Sequence, residues 1–210
     1  MRATGRLAST GLFIAAIIGC ASTTSGPVGT AVAPAAGTAG PRHTAADVEF
    51  MTGMIGHHAQ AVLMAGWAPT HGGSPAVQAL CERILVGQRD EIALMQRWLR
   101  EWHEPVPEAD ASHHMMPGME PMLMPGMLTA EQLIQLDHAT GAEFDDLFLT
   151  FMIRHHQGAL TMVKQLVETP GAARDDNVFK LVSDMNADQT TEINRMNLML
   201  AGIPLEATSP

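Results

Sequence analysis

The chain has 210 residues, a length for one domain with tails. Lys and Arg number 12 against 22 Asp and Glu, a formal net charge of −10, so no basic face exists to neutralise phosphates and nucleic-acid binding is excluded. Hydrophobic residues make up 46%, enough for a core; Tyr is absent, which removes tyrosine-based catalysis, and 16 Met with 10 His point to soft-ligand chemistry.

Residues 1–20 read as a signal peptide. Arg2 and Arg6 precede an apolar run from Gly11 to Gly19 that ends at Cys20. A permanent membrane helix needs ~20 apolar residues, and this run is too short. Ile17-Ile18-Gly19-Cys20 resembles the lipobox of bacterial lipoproteins, in which the Cys becomes the lipidated first residue, although the branched Ile18 replaces the usual small residue. The alternative is cleavage further on, after Ala31-Val32-Ala33, releasing a free periplasmic protein. The expectation is an exported protein of the periplasm or cell envelope, touching a membrane only through a lipid anchor at Cys20. Losing residues 1–19 leaves 10 basic against 22 acidic residues, a charge of −12. Cys81 is then the only other thiol, so no intramolecular disulfide forms. Beside Leu80 and Ile84 it reads as a small buried hydrophobe. Residues 21–42 are mostly Ala, Thr, Gly, Pro and Ser, a flexible tether.

From residue 44 to 202 the periodicity is helical, with no β-like alternation. Gly and Pro cluster only at Pro69–Pro75, Pro105–Gly126 and Pro170-Gly171. The pattern predicts a first helix over about Thr44–Trp67 and a second over Ser74–Trp102. A Met/His-rich connection (103–128) follows, then a short helix after a Thr129 cap with Glu131 behind it. Gly141 breaks that helix before a third long one at about 142–168, and a fourth runs over about 174–201. The stretch Phe50–Met64 aligns with Phe148–Met162 at eight identical positions of fifteen, and Gln88–Met95 matches Gln189–Met196. The expected fold is therefore all-α: a four-helix bundle of two similar hairpins with a long link between them, as in ferritin-like topology.

Polar residues fall where a core belongs. In the first helix Phe50, Met54, His57, Ala61 and Met64 follow the 3-4 spacing of a buried face, with His58 about 100° round from His57. The third long helix repeats this with Phe148, Met152, His155, Ala159 and Met162, and His156 alongside. Gln88, Glu91 and Met95 on the second helix match Gln189, Glu192 and Met196 on the fourth. Burying such groups is costly unless they are paired or bound to metal. A register-setting hydrogen-bond network is one reading; the duplication, with Met three residues before each His-His, favours metal binding. Thioether with imidazole selects Cu(I). Glu91 and Glu192 fit Cu(I) poorly and are expected to orient a His through its other ring nitrogen. A di-iron site needs Glu-x2-His motifs, and the chain has none; His-Glu-x2-His and paired Cys motifs are also absent. In the connection, His113, His114, Met115, Met116, Met119, Met122, Met124 and Met127 are broken by Pro and Gly. They read as a flexible Cu(I)-capturing loop, or as an adhesive apolar strap over the bundle.

Met54-Ile-x-His57-His58 and Phe144-Asp145-x2-Phe148-x3-Met152-Ile-x-His155-His156-x-Gly158-Ala159-x2-Met162 resemble the family known as domain of unknown function 305, over about residues 44–201. The resemblance implies a ferritin-like fold, export, and copper binding of the CopM type through Met54, His57, His58, Met152, His155 and His156. Three functions compete. The first is a copper-sequestering or copper-relaying protein without enzymatic activity, with a copper-handling partner or a second copy as possible company. The second is a ferritin-like metal oxidase, and the third a metal-free structural envelope lipoprotein.

Overall fold

The computed structural model describes residues 43–111 and 123–202. Helix α1 spans Ala45–Gly66, α2 Pro75–Glu101, α3 Ala130–His138, α4 Ala142–Glu168 and α5 Asp176–Leu200. No strand occurs among the described residues. The protein is an all-α bundle of two hairpins, α1–α2 and α4–α5, joined by packing of α1 on α4. No helix among the described residues is long and apolar enough to cross a membrane.

Each helix starts where local chemistry satisfies its first N–H groups. Thr44 and Asp47 form a reciprocal capping box at α1, Ser74 caps α2 with Pro at the first helical position, and Thr129 with Gln132 caps α3. Asp175 accepts from the backbone of Asn177 and Val178 at the start of α5. The same carboxylate accepts from the Trp98 indole at 3.1 Å, so this cap also ties α5 to α2. At the other end of the bundle, the Gly141 N–H donates to the His71 carbonyl at 2.8 Å, fastening the two turns together.

The apolar core is divided in two. One cluster gathers Met64, Ile84, Phe148, Met152 and Met196; the other gathers Met54, Ile55, Met95, Ala159 and Met185. On every long helix the polar residues His57, Gln88, His155 and Gln189 fall between these two sets, so a polar layer crosses the bundle at mid-height. The order of clusters along each helix also shows that α1 runs antiparallel to α4, and α2 to α5. The link from α2 returns as a strap, Met124–Leu128, across α1 and α4. Gln60 holds it like a strand partner, accepting from the Leu128 N–H at 2.8 Å and donating to the Leu128 carbonyl at 3.1 Å.

Candidate metal centre

The layer is built twice from the same parts. His57, His58 and His156 have no exposed surface and His155 is 1% exposed. The His58 Nε2 donates to Glu91 Oε2 at 2.6 Å, and the His156 Nε2 donates to Glu192 Oε2 at the same 2.6 Å. An ionised carboxylate only accepts, so Nε2 of each ring carries a proton and Nδ1 is the nitrogen left to offer a lone pair in the neutral form. Both Nδ1 atoms are buried without a hydrogen-bond partner. At the centre the His57 and His155 rings meet, with centroids 3.9 Å apart and planes at 42°. His57 lies 6.4 Å from His58, and His155 lies 6.3 Å from His156.

His57 is set by the strap, its Nε2 donating to the Pro125 carbonyl at 3.0 Å. The strap lies close enough for that bond because two glycines pass there. A Cβ on Gly158 would stand 1.9 Å from the Pro125 oxygen, and one on Gly126, at φ 80°, would stand 2.4 Å from the Arg154 carbonyl. His155 Nε2 is buried and has no partner. Burial, and then the neighbouring His57, His156 and His58, holds His155 well below the ordinary histidine range. It is therefore neutral at neutral pH, with a lone pair to offer.

Met54, Met95, Met152 and Met196 are fully buried. Met54 and Met95 belong to the cluster on one side of the layer, Met152 and Met196 to the cluster on the other. The four expected imidazoles and two carboxylates thus share one level of the bundle, flanked by a thioether pair above and below. No three His, Cys, Asp or Glu side chains converge as a metal cage among the described residues. Soft univalent cations accept low coordination by nitrogen and sulfur, and buried donors of both types lie at this level or beside it. The donor set thus suits Cu(I) and suits a hard or octahedral ion poorly. His113, His114, Met115, Met116, Met119 and Cys20 lie outside the described residues. Of the loop thioethers, Met127 is buried, and Met124 packs over Gly53, its sulfur 3.1 Å from where a Cβ there would be. Sequence reasoning missed Gln60 and Gly158 as the residues that seat the strap on the site. The one signal was a glycine at 158 inside an otherwise helical run.

The family model described as Domain of unknown function (DUF305) matches residues 47–200. The chain belongs to the DUF305 family. The resemblance carried by the doubled His-His motif therefore holds over the whole bundle. No curated protein matches the chain. Among solved structures, a DUF305 fragment from Deinococcus radiodurans is similar at 28% identity and TM-score 0.64, over 78% of this chain and 100% of that one. A DUF305 protein from Streptomyces coelicolor, described as secreted, is similar at 30% identity and TM-score 0.63, over 75% and 93%. CopM in its Cu(I)-bound form is similar at 27% identity and TM-score 0.58, over 74% and 96%. CopM has also been solved with Cu(II) and with Ag bound.

Proposed function

We propose that this DUF305 chain is an exported copper-binding protein that sequesters or relays Cu(I) through Met and His side chains. The observation that carries the reading is the buried layer itself. His155 Nε2 and the Nδ1 atoms of His58 and His156 are buried with no hydrogen-bond partner, between two pairs of buried thioethers. Unsatisfied polar atoms at such a place are costly, and a soft cation would satisfy them. The similarity to CopM, solved with copper and silver bound, supports the same reading.

In this account His57, His58, His155 and His156 supply nitrogen, and Met54, Met95, Met152 and Met196 supply sulfur. Glu91 and Glu192 fix the tautomer and orientation of His58 and His156. Copper is cargo and the reading involves no turnover. The signal-like segment at 1–20 and the likeness to a protein described as secreted support export. Lipidation of Cys20 would hold the bundle at a membrane surface, where a copper-handling partner or a second copy could reach it. The His/Met stretch at 113–127 is proposed as the capturing loop that feeds the interior.

The test is an oxygen-free titration of Cu(I) against a coloured chelator. Wild-type protein strips the chelator. Joint replacement of His57, His58, His155 and His156 by Ala weakens binding by orders of magnitude. A variant with Met115, Met116, Met119, Met122, Met124 and Met127 changed to Leu separates loop from core. A chain that never competes with the chelator sinks the copper reading; unchanged affinity without the four His residues sinks the interior site.

A further inference from the structure

A cleft runs between α2 and α5 around a cavity of about 610 Å³, and it holds two charge poles that do not meet. Arg83 and Arg195 line one end. They stand close enough for Arg83, after burial, to lower the pKa of Arg195, whose Nε is buried with no partner. Neither guanidinium pairs with a carboxylate among the described residues. Towards the other end stand Glu91 and Asp188, with Glu192 between. The Asp188 carboxyl is pushed up by burial and by the neighbouring Glu91, Glu192 and Asp184. Glu91 and Glu192 use Oε2 on their histidines, and Oε1 of each has no hydrogen bond among the described residues. Opposite charges that share one cavity without pairing with each other suit an occupant that carries both.

The walls between the poles fit a peptide backbone. Gln88 and Gln189 line the cleft at 4% and 2% exposure, and each has a buried Oε1 without a partner. No hydrogen bond among the described residues fixes either carboxamide, so each can turn to meet a peptide N–H or C=O. Gly87, in the interior of α2, also lines the cavity. Glycine weakens a helix interior, and here no neighbour asks for it: a Cβ at Gly87 meets nothing within 4 Å. What its hydrogen leaves is a bare floor where another backbone can approach.

The spacing sets the length. Eight residues separate Arg83 from Glu91 and seven separate Asp188 from Arg195, so the poles lie roughly 10–12 Å apart at 1.5 Å of rise per residue. Three extended residues cover about that distance at ~3.3–3.6 Å each. We propose that the α2–α5 cleft binds a short peptide with free ends, about three residues long. Its ammonium group lies by Glu91 and Asp188, its carboxylate by Arg83 and Arg195, and its backbone between Gln88, Gln189 and Gly87.

The test uses the metal-free full chain and triglycine, with binding followed by NMR on backbone and glutamine side-chain amides. No metal enters the assay, so its outcome stands apart from the copper reading. Saturable one-to-one shifts centred on Gln88 and Gln189, abolished by N-acetylation or C-terminal amidation of the peptide, are expected. Gly87→Ala is expected to melt at a higher temperature than wild type and to lose affinity by roughly tenfold or more, since a methyl group would fill the approach. The higher melting temperature separates that loss from misfolding. Absence of saturable shifts, equal binding of the capped peptides, equal binding of free glycine, or wild-type affinity in Gly87→Ala would each overturn the proposal.

Discussion

Replacing Gly158 by Ala tests how the strap is held. In a helix interior the change should help, because alanine is favoured over glycine by about 1 kcal/mol. Here the new methyl carbon would sit 1.9 Å from the Pro125 oxygen and 2.4 Å from its carbonyl carbon. Both are backbone atoms, so no rotamer change relieves the overlap and the strap must lift. Lifting it breaks the two Gln60–Leu128 hydrogen bonds, worth about 1 kcal/mol each. It also partly exposes Leu128, which has no exposed surface and whose full burial is worth about 1.5–3 kcal/mol. Set against the helix gain, the net loss is about 2–3 kcal/mol. Urea unfolding followed by circular dichroism measures it. Gly53→Ala is the control, since a methyl group there meets only the flexible Met124 and Met162 side chains and should cost little. A Gly158→Ala protein as stable as wild type would refute the claim that the strap is clamped at this point.

Other consequences follow from the same contacts. Glu91→Ala leaves the buried His58 Nε2–H without its acceptor and should destabilise the bundle by about 1–3 kcal/mol in urea melts, with Glu192→Ala costing about the same; clearly unequal costs would count against the symmetry of the layer. His155 is held neutral in the folded state, whereas the unfolded chain protonates it near its ordinary value of 6.5. Its contribution is therefore fully present above that pH and is lost as the pH falls below it. The unfolding midpoint should drop on acidification from pH 7 to 5, more steeply in wild type than in His155→Gln, and equal slopes would rule out this source. The Cys81 thiol, pushed up to about 12 by burial and then by Asp145, should resist a thiol reagent at neutral pH until the protein unfolds. Rapid labelling of the native chain would contradict its burial.

The helices were legible because their signals are local. Thr44, Ser74 and Thr129 begin three of them as caps, and the 3-4 spacing of Met54, His57 and Ala61 by itself puts His57 in the interior. The repeat carried the symmetry, and with it the expectation that both His-His pairs serve one function. Whether the four helices meet at one level or at two was not legible. Spacing within a helix fixes which face a residue occupies, but not its height against another helix; the 3.9 Å approach of His57 to His155 answers that. The partners that seat the centre were hidden for the same reason. Gln60 finds the backbone of Leu128 at 68 residues' separation, and Asp47 accepts from Ala173 at 126, and nothing along the chain marks such pairs. Gly158 was visible in the motif, but its purpose shows only when Pro125 is laid against it.

The central claim is that a soft cation is held in the polar layer by sulfur and nitrogen together. X-ray absorption at the copper edge, on protein loaded with one equivalent of Cu(I) under reducing, oxygen-free conditions, reads those donor atoms directly. The loop variant with its six Met residues changed to Leu should be measured alongside. Mixed sulfur and nitrogen scattering at low coordination number is expected, retained in the loop variant and altered when His57 and His155 are both replaced by Ala. A spectrum of oxygen and nitrogen donors alone, or one that does not respond to loss of the two histidines, would contradict it.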